Sequence, residues 1–299
     1  VIELIVLNLA TTRAMQAVSM DGSRVRTVVS DLDEGPDGIV VDQRHGHIYW
    51  TNMGAPDPGA QPGAEPTFLT RNGSLERVDL DGSHRRTIVP RGAFTTGKQL
   101  TADFTAGKLY WCDREGMQVL RCDLDGSRLE TLVSAGIGAD ARDGRNHCVG
   151  IAVDAVRGLV YWSQKGAPDA GQGRIFRASI DIPQGRTPLE RDDIELLWAG
   201  LPEPIDLDLQ DGEMLAWTDR GAGPGGNTLN RARVQPDIGT PQVVSRGYHE
   251  AIGLATLDGE TYYVGDLSGS IRCVNLADGT DRELARLPAG LTGLALAVL

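Results

Sequence analysis

The chain has 299 residues, with 41 carboxylates against 29 Lys and Arg for a formal net charge of -12. That balance argues against a nucleic-acid or anionic-membrane surface, because phosphates need a basic stripe that is absent here. No apolar run approaches the length of a bilayer span, and the opening VIELIVLNLA lacks the basic start and cleavage site of a signal peptide, so it reads as a first strand.

From Gly38 the chain runs GIVVDQRHGHIYWTN: an apolar strand ending in Asp42, a polar turn, and a second strand closing on Tyr49-Trp50-Thr51-Asn52. Copies follow at 99–113 (QLTADFTAGKLYWCD) and 150–164 (GIAVDAVRGLVYWSQ), with weaker ones at 205–219 and 253–266. A further motif follows the Tyr-Trp strand: RVDLDGSHRRTIV at 77–89 and RCDLDGSRLETLV at 121–133, with AVSMDGSRVRTVV at 17–29 in the first unit. Its Asp-Gly pair signals a hairpin with a primed turn. Each unit therefore holds four strands: inner A, Tyr-Trp strand B, Arg-bearing C and outer D. Self-similarity at roughly 40 to 60 residues with four short strands per period marks propeller blades.

The chain opens on a B-like strand at 4–8, and five full units start near Asp37, Lys98, Val149, Pro204 and Ile252. The last stretch, GLTGLALAVL at 290–299, matches an inner strand with nothing after it. The economical solution is an all-β, six-bladed β-propeller forming one domain over residues 1–299. Its terminal strand completes the first blade, which removes open sheet edges. The four cysteines read as free thiols rather than a disulfide framework, pointing to a reducing, cytoplasmic setting.

The long connections are B-to-C at 54–72, 166–173 and 221–227, joined by the D-to-A loop at 134–146, and all fall on one face. Only 183–193 elaborates the other. Loops on a rigid scaffold carry function, so that face is expected to hold the site. Two rings of side chains are expected at its mouth. One comes from residues before each inner strand: Asp37, Lys98 with Gln99, Asn146-His147-Cys148, Glu203, His249-Glu250 and Thr292. The other comes from the ends of the B strands: Asn8, Asn52, Asp113 with Arg114, Gln164 with Lys165, Asp219 with Arg220, and Asp266.

His147, His249 and Glu250 are the expected acid/base groups, since histidine titrates near neutrality. Lys98 is expected to donate to a developing oxyanion. Asp37, Asn52, Gln99, Asp113, Arg114, Asn146, Gln164, Lys165, Glu203, Asp219 and Arg220 are expected to bind substrate, with the arginines and Lys165 clamping a carbonyl or carboxylate. Each has a plainer reading. Asp113, Asp219 and Asp266 suit the holding of turns, as do Asp42, Asp103 and Asp154 at the far end. Trp50, Trp111, Trp162 and Trp217 suit packing between blades. Arg77, Arg121, Arg177 and Arg231 are expected to pair with carboxylates of adjacent blades.

There is no G-x-S-x-G elbow, P-loop, dinucleotide-binding glycine turn or H-E-x-x-H. A covalent serine or bound nucleotide is therefore not expected, and neither is a cofactor. A ring-bound Ca²⁺ or other divalent cation held by Asp37, Asn146 and Glu203 is the minor alternative. The expected partner is a small-molecule substrate, with no nucleic acid and no membrane; oligomeric state is left open.

The segments YWTN, YWCD, YWSQ and AWTD, with LDGS turns downstream, resemble the YWTD six-bladed propellers of lipoprotein-receptor ectodomains. These 299 residues contain no Cys-rich module of the kind that flanks those. The chain is more similar to stand-alone intracellular microbial, especially fungal, propellers, a group that includes hetero-Diels–Alder cyclases of tropolone-sesquiterpenoid pathways. That resemblance implies a cofactor-independent enzyme acting on a reactive, quinone-methide-like species, and it carries over no site residue. A metal-dependent lactonase-like hydrolase and a non-catalytic binding propeller remain the alternative readings.

Overall fold

The computed structural model describes residues 1–9, 13–32, 34–59 and 66–299. Part of the 54–72 loop, residues 60–65, thus lies outside the described residues. Six four-stranded antiparallel sheets make the ring. Blade one is Leu291–Val298, Ile2–Asn8, Ala14–Ser19 and Val25–Val29, from axis to rim, so the last strand supplies the inner strand of the first blade. The closure is in register, with Val6 opposite Leu294, and Leu299 N and Val1 N each donate to the other residue's carbonyl. The inner strands of blades two to six are Pro36–Asp42, Gly97–Asp103, Cys148–Asp154, Pro204–Gln210 and Ala251–Thr256.

Blades pack through their aromatic pairs. Trp50, Trp111, Trp162 and Trp217 are all fully buried, each clustered with apolar side chains of the preceding blade. Tyr49, Tyr110 and Tyr161 face the following one. Burial of a large apolar side chain contributes about 1.5–3 kcal/mol, so each tryptophan adds materially to the one blade contact it sits in.

Two local expectations change. The Asp-Gly turns are not two-residue primed turns. Gly82 N donates to Asp79 O and Asp79 N to Ser83 O, closing a longer loop in which Gly82 (φ 87°) and His84 (φ 53°) are left-handed. Glycine is required there for a second reason: a Cβ on Gly82 would lie 2.2 Å from the carbonyl oxygen of Val28 in the neighbouring blade. The C-strand arginines mostly pair inside their own blade: Arg77 with Asp79, Arg121 with Glu130, Arg177 with Glu195. Outer-strand or same-strand carboxylates are simply nearer. Arg121 reaches the next blade only at 3.8 Å, to Asp181. Asp42, Asp103 and Asp154 do form turns, each accepting from backbone N–H groups two or three residues on.

All four cysteines are free. Among the described residues no helix is long and apolar enough to cross a membrane.

Candidate functional site

Every inner strand carries a bulge near its upper end, as at 36–39, 97–100, 148–151 and 204–207. The bulges bring neighbouring inner strands into close contact. At Gly38, Gly150, Gly253 and Gly293 a Cβ would stand 2.0–2.5 Å from backbone of the next blade. Only glycine fits so close an approach. The same repeat position holds Gln99 in blade three and Asp206 in blade five.

Residues just before this position form the floor of the mouth. In blades one to three they are Thr292, Asp37 and Lys98; in blades four to six they are Val149, Ile205 and Ile252, which form an apolar cluster of their own. The floor is thus half polar and half apolar. Lys98 and Asp37 are both buried and make a direct ion pair. Lys98 Nζ also lies 3.4 Å from Met53 Sδ, and Gln99 Nε2 donates to Asp37 at 3.3 Å. Burial depresses the Lys98 pKa below the ordinary lysine value, with Asp37 opposing the shift.

The wall comes from the residue that follows each B strand: Leu9, Met53, Arg114, Lys165, Arg220 and Leu267. Each of their N–H groups donates to a carbonyl of the loop entering an inner strand, respectively Gly290, Gly35, Thr96, His147, Glu203 and His249. Three consecutive cations therefore stand on blades three to five. Buried Glu203 collects two of them, Lys165 at 3.4 Å and Arg220 at 3.3 Å, and accepts from Asp169 N at 2.9 Å. Arg220 lies 3.4 Å from Glu250 as well. Asp169 in turn accepts from Ala222 N, stitching the loops of blades four and five together.

These elements enclose a chamber of about 840 Å³. Of the expected residues, Asp37, Lys98, Arg114, Glu203, Arg220, Glu250 and Thr292 line it. Phe68, Met53, Ile252 and Leu267 supply its apolar surface, and Arg114 lies 5.3 Å above the Phe68 ring.

The remaining expected residues are placed elsewhere. His147 Nε2 bonds the Ala141 carbonyl in the one-turn helix Gly138–Arg142, its Nδ1 is buried without a partner among the described residues, and burial lowers its pKa. His249 is exposed and does not line the chamber. Asn146 turns to the Asp140 carbonyl, Gln99 faces the channel below the floor, and Lys165 is buried behind Glu203. The B-strand ends are turned outward, to strand C of the same blade or to loops. Asn52 donates to Ser74 and Glu76, and Gln164 accepts from Arg174. Asp113 accepts from Thr95, Thr96 and Gly116 backbone, Asp219 from Glu203 N, and Asp266 from His249 N. Burial raises the carboxyls of Asp113 to about 6 and Asp219 to about 7.

The proposed Ca²⁺ ligands are not brought together: Asp37 is held by Lys98, Glu203 by Lys165 and Arg220, and Asn146 points away. Among the described residues no three His, Cys, Asp or Glu side chains are grouped to hold a metal ion.

Residues missed from sequence were Met53, Phe68, Leu267 and the Val149–Ile205–Ile252 half of the floor. Alignment on the repeat glycine would have found the last group.

Ring closure by the terminal strand, four strands per blade and the Tyr-Trp blade contacts define a six-bladed propeller of the YWTD type, with a mixed polar and apolar chamber at its mouth. The fold agrees with a solved structure, a chain of the "Crystal structure of Nidogen/Laminin Complex", at TM-score 0.74 and 18% identity, covering 100% of this chain and 99% of that one. The chain is 43% identical over 292 residues to the protein of Pyricularia oryzae named low-density lipoprotein receptor-related protein 1, covering 92% of this chain and 89% of that protein, and it belongs to that protein's family. It is also 41% identical over 297 residues to the "3-hydroxyacyl-CoA dehydrogenase-like protein LAM1" of Cochliobolus heterostrophus, of which it spans 59%. No family profile matches the chain.

Proposed function

We infer that the chain is a small-molecule enzyme that works without a redox cofactor, holding a reactive intermediate in the mouth chamber and promoting loss of water from it, its cyclisation, or both. The observation that supports this reading is the buried Lys98–Asp37 ion pair in the chamber floor. Burying two charges costs several kcal/mol per ion before their attraction is counted, and apolar residues like those of blades four to six would close the floor without it. Lys98 presents an N–H donor whose proton is loosened by burial, suited to a hydroxyl departing as water or to the oxygen of a conjugated heterodiene. Arg220 and Arg114 face the same space and would fix an oxygen at the other side, while Phe68, Met53 and Leu267 hold the carbon skeleton. In a hetero-Diels–Alder closure one C–C and one C–O bond form with no net proton transfer, so confinement in near-attack geometry would supply most of the acceleration.

Product analysis tests this. The protein would be incubated with an ortho-hydroxybenzyl alcohol, as quinone-methide precursor, and an alkene. A rate and stereochemical excess above the uncatalysed reaction are expected, with Lys98→Met and Arg220→Met each lowering the rate at least tenfold while the fold is retained. Racemic product at the background rate, or variants that match the parent, would overturn the reading.

A further inference from the structure

A second cavity of about 570 Å³ lies beside the chamber, between blades two and three. Two pairs of consecutive residues divide their linings between the two cavities. Phe68 and Arg114 line the chamber; Leu69 and Glu115 line the side cavity. Glu115 is 6% exposed. Its Oε1 accepts from Arg114 at 2.7 Å, whereas its Oε2 is buried with no partner among the described residues. An unmatched buried carboxylate oxygen is costly and calls for a donor.

The turn that presents Glu115 is fixed. Asp113 accepts from Gly116 N, a Cβ on Gly116 would strike the Asp113 carboxylate, and Met117 is held at φ 55°. Two cations, Arg71 and Arg142, also line the cavity. Arg71 spends Nε and Nη2 on the carbonyls of Gly92 and Ala93, which steadies it with Nη1 left over. Leu69, Met117 and Ile137 add apolar surface to the lining.

We propose that this side cavity is a second small-molecule site, for an aromatic hydroxy acid. The carboxylate meets Arg71 and Arg142, the ring lies on Leu69, Met117 and Ile137, and the Glu115 carboxylate turns its Oε2 into the cavity to accept from the hydroxyl. The site stands independently of what the central chamber does.

Two methionines make the test. Met117 lines the side cavity and Met53 the chamber. Protein labelled with ¹³C at the methionine methyls is titrated with 4-hydroxybenzoate and separately with benzoate. A saturable shift of the Met117 methyl is expected, tighter for 4-hydroxybenzoate. Arg142→Ala, an exposed site that leaves the fold intact, is expected to weaken it about tenfold. Glu115→Gln is expected to abolish the preference for the hydroxylated acid. No Met117 response at millimolar acid, a response confined to Met53, or an affinity unaffected by Arg142→Ala would each overturn the proposal.

Discussion

The hydroxyl of Thr51 donates to the carbonyl of Lys98 at 2.6 Å while accepting from Gly38 N at 3.0 Å. One side chain thus ties the bulge of its own blade to the inner strand of the next. The contact recurs around the ring: Cys112 to Gly150 O, Ser163 to Ile205 O and Thr218 to Ile252 O. This explains why a small donor follows the tryptophan in each of these copies. Thr51 also sets the height of Lys98 in the floor. Thr51→Val keeps the volume but leaves buried backbone groups unpaired, so a loss of about 1–3 kcal/mol is expected from urea midpoints. Activity should fall by more than the stability loss alone requires, because Lys98 is no longer held in place.

The Lys98–Asp37 pair separates stability from function. Asp37→Leu alone strands a buried ammonium, and Lys98→Met alone strands a carboxylate whose only other side-chain contact among the described residues is Gln99 at 3.3 Å. Each single variant is expected to lose about 3–5 kcal/mol, and the double variant to recover most of it. Chemical denaturation of all four proteins checks this. Turnover should remain lost in the double variant, since the restored stability comes from an apolar floor.

Asp219 gives a signed pH dependence. Its carboxyl is raised by burial to about 7 in the folded chain, from 3.8 when unfolded. Between those values the folded state binds the extra proton, so this group's contribution to stability falls as pH rises from about 4 to 7 and is level above that. Asp113 acts in the same sense up to about 6. Asp219→Asn preserves an acceptor for Glu203 N without the charge. Its stability should therefore fall less steeply over pH 5–7, by up to about 1.4 kcal/mol per pH unit. Identical slopes for parent and variant in thermal melts would assign the dependence elsewhere.

The fold was legible because its signal is repeated: each copy of the Tyr-Trp strand and each Asp-Gly turn corroborates the others, and the unmatched strand at 290–299 left one place to go. The chamber was half legible. Asp37, Lys98 and Thr292 sit one residue before the repeat glycine position, but His147, Glu203 and Glu250 sit three before it, so the expected ring mixed two levels. Residues at the upper level belong to loops whose carbonyls receive the wall residues, and their side chains go where local bonds take them: His147 to Ala141, Glu203 to the cations. The B-strand ends misled in the same way. Asp113 and Asp219 face backbone donors, and it is the next residue, Arg114 or Arg220, that reaches the chamber. Phe68 could not be found at all, since it lies in a loop with no counterpart in other blades.

The repeat glycine offers the sharpest packing test. A Cβ on Gly253 would stand 2.0 Å from the carbonyl oxygen of Thr292 and 2.7 Å from Leu294 Cδ1. Both neighbours belong to the strand that closes the ring, and the oxygen is backbone, which cannot rotate away. Gly253→Ala is expected to cost about 3 kcal/mol or more, because the seam between blades six and one must open to admit a single methyl. Gly46, in an A-to-B turn at φ 73° with nothing within 4 Å of its Cβ position, is the control. Gly46→Ala bears only the left-handed backbone penalty, about 1–2 kcal/mol. The ordering of the two in denaturant midpoints distinguishes a contact between blades from local strain. A Gly253→Ala midpoint equal to or above that of Gly46→Ala would mean the inner strands are not packed as tightly as the ring geometry requires.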